Sequence, residues 1–98
     1  MPDFRDIDPR ELRIPPSRAQ GADPARLQRQ IARFGPSAVG MPAPWVYEAS
    51  DGVLVMYNGV TRATRIAKLS AGTLIRVEVV GKLRRAGAGY SKIGDVLP

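Results

Sequence analysis

Apolar positions along the chain fall into short runs of two kinds, set apart by clusters of proline and glycine. At residues 53–57 the run VLVMY is continuous and rich in β-branched and aromatic side chains, which predicts a buried strand. After Asn58 and Gly59 the pattern changes. Ala63, Ile66 and Ala67 recur at steps of three and four, so residues 62–69 read as a helix with Arg62, Arg65 and Lys68 on its outer side. A second helix is signalled upstream by Asp23-Pro24, carries Leu27, Ile31 and Phe34 as one stripe, and stops at Gly35-Pro36. That stripe is expected in the core and the arginines between its members on a wet face.

WVYEA and VLVMY flank Ser50-Asp51-Gly52, a hairpin signal because Gly52 supplies the positive φ that a tight turn needs. Trp45 and Tyr47 share one face of the first strand and Val46 the other, with Trp45 expected to be buried. Near the start, Phe4 and Ile7 alternate with charged residues in a short strand, after which Asp8 and Pro9 open a single helical turn. Residues 74–80, LIRVEVV, give a last strand whose Arg76 and Glu78 face outward between valines. From residue 81 on, the pattern weakens. Glycines stand at 81, 87, 89 and 94 among Lys82, Arg84, Arg85 and Lys92, so weak order is expected there, with Ile93, Val96 and Leu97 available to dock back. The reading is an α/β (α+β) domain over residues 1–80, with a mixed sheet of about four strands under two helices, and a basic, glycine-rich tail over 81–98.

Composition narrows the chemistry. Ninety-eight residues make one small core. No apolar run approaches the roughly 18 residues of a span, and the first residues resemble no leader, so a cytoplasmic protein without a membrane partner is expected. The chain has no cysteine and no histidine. Disulfides, thiolate nucleophiles, the commonest transition-metal ligands and the commonest general base are therefore excluded, and no metal site is expected. Residues 1–58 hold seven basic and seven acidic side chains, and residues 59–98 hold eight basic and two acidic, so the whole net charge of +6 falls in the second half. A polyanion near that half is one reading, and a solvated basic surface is the other.

The candidate site is the turn. Asn58, Gly59, Val60, Thr61 and Arg62 stand where a strand hands over to a helix, a place with unpaired N–H groups and partial positive charge. Gly59 lets a ligand approach the backbone, Thr61 is the expected N-cap, Arg62 is placed to clamp an oxyanion, and Arg65, one turn on, to reach a second phosphate or a backbone oxygen. The plain alternative is a tight turn with a capped helix and solvated arginines.

Taken together these residues resemble the ParB and sulfiredoxin superfamily. The likeness covers residues 4–80 and is one of order: Ile7-Asp8-Pro9 with Leu12, a helix closing at Gly35, the Asp51-Gly52 hairpin, Gly59-Val60-Thr61-Arg62 opening a helix, and Arg76-Val77-Glu78-Val79 as a strand. In that family the glycine turn and its arginine hold nucleotide phosphates, which implies the same for Gly59 and Arg62, with a nucleoside triphosphate and magnesium as the implied cofactors. The chain departs from the family at Val60, where sulfiredoxins carry a reactive cysteine and partition proteins a glutamate. Sulfiredoxin activity is therefore not expected. The family's arginine box is echoed by Pro16 and Arg18. Three functions stay open: a nucleotide- or nucleic-acid-binding module, a ParB-like nuclease or nucleotide hydrolase drawing on Glu48, Asp51 or Glu78, and a regulatory domain whose basic face meets an acidic protein.

Overall fold

The computed structural model describes residues 1–97. In chain order it contains β1 (Asp3–Ile7), α1 (Pro24–Phe34), β2 (Trp45–Glu48), β3 (Leu54–Asn58), α2 (Val60–Leu69) and β4 (Ile75–Lys82), with 3-10 turns at Pro9–Glu11, Pro16–Arg18 and Ile93–Val96. The helix starts follow from their caps. The Asp8 carboxylate accepts the Arg10 N–H at 3.0 Å and the Asp23 carboxylate the Arg26 N–H at 3.0 Å, each with proline in the first helical position.

The four strands form one mixed sheet in the order β1-β4-β2-β3. β2 and β3 are the antiparallel hairpin expected around Gly52; α2 then crosses back over β2 and sets β4 parallel to it on the other side, and β1 closes the far edge antiparallel to β4. The core lies between α2 and the sheet. Ala63, Ile66 and Ala67 of α2 meet Val46, Met56, Ile75 and Val77 of the strands, together with Leu12, Ile14 and Ile93 from the flanking segments.

Three expectations need correction. α1 leans on α2 rather than lying across the sheet, so a narrow seam suffices and Leu27 alone of its stripe is buried; Ile31 is half-buried and Phe34 is 50% exposed. Trp45 is 45% exposed, because it opens β2 on the face that no helix covers. Finally, residues 81–97 are not loosely held. β4 runs on to Lys82, Ile93 is fully buried, and Val96 and Leu97 pack against the core. Backbone bonds from Leu83 to Glu48, Ser50 to Arg85, Ile14 to Ser91 and Ile93 to Leu12, 2.8–3.1 Å long, fasten this segment to the hairpin and to the stretch after β1. Pro98, the last residue of the proposed tail, lies outside the described residues. Among the described residues no helix is long and apolar enough to cross a membrane.

Candidate anion-binding groove

The strand-to-helix turn is built around Gly59. Its φ of 97° lies in the left-handed region that side chains disfavour, and a Cβ there would come within 2.8 Å of the Arg62 Nη2 and 2.9 Å of the Pro44 ring. α2 begins two residues earlier than the sequence suggests. Gly59 is the N-cap and Thr61 the second helical residue, so Thr61 does not cap and the turn has no side-chain cap at all. The first intrahelical bond is Ala63 N–H to the Gly59 carbonyl at 3.0 Å. The amides of Val60, Thr61 and Arg62 precede it and point out of the helix end, where a ten-residue helix adds roughly half a positive charge.

Over this turn lies an open groove of about 530 Å³. The volume suits a small ligand or a segment of a larger one. Asn58, Gly59, Val60, Thr61 and Arg62 line one side, and Arg26, Arg29, Gln30, Arg33 and Phe34 of α1 the other, with Arg18 at one end and Tyr57 beside the turn. Five arginines thus converge on the open helix end, and no Asp or Glu lines the space. None of the five forms an ion pair among the described residues; the salt bridges there belong to Arg5, Arg10, Arg76 and Lys92. Among the described residues Arg62 reaches only the Asn58 side-chain oxygen, at 3.4 Å, and its Nε is buried without a partner, as are the Gln30 Oε1 and the Nε atoms of Arg13 and Arg65. Buried polar atoms are nearly always satisfied, and Arg62 and Gln30, which bear two of these orphans, stand on opposite sides of the groove.

Of the two partners expected for Arg65, a second phosphate or a backbone oxygen, the structure shows the second. It is buried at 2% exposure and donates through Nη1 to the carbonyls of Gly35 and Ser37, both at 2.7 Å. It also lies over the Phe34 ring, 5.3 Å from the centroid. Burial lowers its pKa from the usual arginine value. The side chain spends its charge on the carbonyls at the end of α1, and with Ser70 Oγ donating to the Pro36 carbonyl at 2.8 Å it pins that helix to α2. Arg65 therefore positions the far wall of the groove.

The charge of the site also comes from an unexpected quarter. Four of its five arginines, Arg18, Arg26, Arg29 and Arg33, belong to the charge-balanced first half of the chain. The acids that balance them in sequence are engaged elsewhere: Asp8 with Arg10, Glu48 with Arg5, and Asp51 with backbone amides. Reading the arginines of α1 as a wet face missed them, although Arg26, Arg29 and Arg33 at i, i+3 and i+7 form one stripe. Of the carboxylates considered for hydrolysis, Glu48 is held by Arg5 at 2.8 Å, Asp51 accepts from Gly87 and Ala88 at 3.1 and 3.0 Å, and Glu78 sits in β4. None reaches the groove. The Arg5 guanidinium holds the Glu48 carboxyl below its ordinary pKa, and the amides do the same for Asp51. No cluster of three potential metal-ligating side chains occurs among the described residues, so the groove lining does not fit a protein-held magnesium ion.

No family model, curated protein or solved structure matches this chain.

Proposed function

We infer that the groove is a seat for phosphate groups and that the chain is a nucleotide- or nucleic-acid-binding module. One observation carries the reading: five arginines and an uncapped helix end share a single groove that no Asp or Glu among the described residues lines. Like charges gathered with no internal counter-ion repel one another, and an arriving oxyanion relieves that repulsion while giving the amides of residues 60–62 an acceptor. Arg62 supplies the clamp from the helix side and Arg26, Arg29 and Arg33 face it from α1. This is the role that the resemblance to the ParB and sulfiredoxin superfamily implies for Gly59 and Arg62. It needs neither Arg65 nor a residue at position 60 with chemistry of its own; Val60 is buried in the core.

A chemical-shift titration with nucleoside triphosphates and a short oligonucleotide, with and without magnesium, tests it. Shifts are expected at the amides of residues 59–62 and along the arginine stripe of α1. Arg62→Ala is expected to weaken binding about 10-fold or more, the usual worth of one charge-assisted hydrogen bond. Binding unchanged by that substitution would remove the groove from consideration.

A further inference from the structure

The helices cover one face of the sheet, and the other carries aromatic side chains standing partly in water. Trp45 at the start of β2 and Tyr57 near the end of β3 are 45% and 55% exposed. Their rings lie within 4° of parallel with centroids 6.2 Å apart, and the Tyr47 ring meets Tyr57 edge-on at 5.2 Å. Tyr47 rests on β4 at Gly81, where a Cβ would come within 2.8 Å of the ring. The absence of a side chain at Gly81 thus lets Tyr47 lie against the strand and brace Tyr57 from the side. Aromatic rings of this size usually go to the core. Here two stay about half exposed at one end of the sheet, nearly parallel to each other.

Two contacts join this cluster to the groove. Tyr57 lines the groove beside Asn58 and Gly59. Pro44, the residue before Trp45, packs against Gly59, and its carbonyl accepts the Glu78 N–H at 2.9 Å. The strand end that carries Trp45 and the turn that offers its amides are therefore held at a fixed spacing. Glu78 is the register partner of both Phe4 and Trp45.

We propose that the groove takes single-stranded nucleic acid, with bases stacked on Tyr57 and Trp45 and the backbone phosphates passing along Arg62 and the α1 arginines. The proposal rests on the phosphate-seat reading and adds the substrate class to it. A stacking surface next to a cationic groove suits a strand whose base faces are free, whereas a duplex hides those faces and a mononucleotide has too few phosphates to meet five guanidinium groups. Stacking is indifferent to base identity, so binding should be sequence-tolerant and strongly salt-dependent.

Trp45 is the single tryptophan of the chain and reports on its own stacking. The full chain is titrated, with fluorescence as the readout, against an oligothymidylate of about ten nucleotides, within the range of roughly 4–16 that known single-strand-binding folds cover. Thymidine triphosphate, inorganic tripolyphosphate and a duplex of equal length are titrated in parallel. The oligothymidylate is expected to quench Trp45 and to bind more tightly than the mononucleotide and the duplex. Tyr57→Leu should weaken it about 5- to 150-fold, the value of one stacked base, and Tyr57→Phe should restore it. Tripolyphosphate affinity should fall more on Arg62→Ala than on Tyr57→Leu. An oligothymidylate that ignores Tyr57→Leu, or a duplex or mononucleotide that binds equally well, overturns the proposal. If tripolyphosphate still responds to Arg62→Ala in that case, the phosphate seat stands; if it does not, the seat itself falls.

Discussion

Two glycine-bearing bends in this molecule present backbone amides, and they meet opposite fates. At Gly87 and Ala88 the amides donate to the Asp51 carboxylate at 3.1 and 3.0 Å, while Arg13 donates to the carbonyls of Ala88 and Tyr90 at 2.9 and 2.8 Å. The segment is closed by the chain's own charges. At Gly59 the amides of residues 60–62 open into a groove lined by arginines, with no acid to meet them. The backbone chemistry is the same in both places. What differs is whether the fold delivers a carboxylate; at the closed bend the amides hold the Asp51 carboxyl below its ordinary pKa.

The strongest test of this contrast removes the core that both regions share. Ile66 is fully buried, and Ile66→Ala is expected to lower stability by about 2–5 kcal/mol in a denaturant melt; an unchanged melt would refute the assignment of that helix face. Arg65→Ala separates positioning from binding. It strips the Gly35 and Ser37 carbonyls of a charged donor and should cost about 1.5–3 kcal/mol, with a shift of α1 that Arg62→Ala does not produce. Equal stability of the two variants would mean that α1 holds without its pin.

Acid distinguishes the closed bend from the open one. A carboxylate with a depressed folded pKa contributes stability that is fully present above its ordinary value, near 3.8 for Asp51, and lost as the pH falls toward the lower folded value. Protection of the Gly87 and Ala88 amides, taken against the intrinsic exchange rate at each pH, should therefore fall below pH 3.8, and Asp51→Asn should reproduce the loss at neutral pH. No such change is expected at residues 60–62. The smallest effect on stability belongs to Arg62→Ala, within about 0.5 kcal/mol, because that side chain has no strong partner inside the protein. A large loss on this substitution would show that the guanidinium serves the fold instead of a ligand.

Much of the fold could be read from local pattern. The Asp8 and Asp23 caps, the Asp51-Gly52 hairpin, the run at 53–57 and the three-four spacing of Ala63, Ile66 and Ala67 are each settled within a few residues, by hydrogen bonds to near neighbours or by one buried face. The Gly59 turn belongs to the same class for its positive φ, but its missing cap does not, since Thr61, the cap that the sequence suggests, lies inside the helix. Burial at the edges was not legible in this way. Phe34 and Trp45 have core-like side chains, but whether a second layer covers them depends on where α1 and the sheet face come to rest.

The sequence by itself determined the elements and the position of the turn, because those depend on contacts between residues close along the chain. Only the tertiary structure decided which charges meet there. It brought Arg18 and the α1 stripe from the balanced half to the Gly59 amides, turned Arg65 inward as a pin, and engaged Asp51 with the glycine-rich segment. Charge acts through space over distances that sequence separation does not measure, so a half of the chain with no net charge supplies most of the groove's cations.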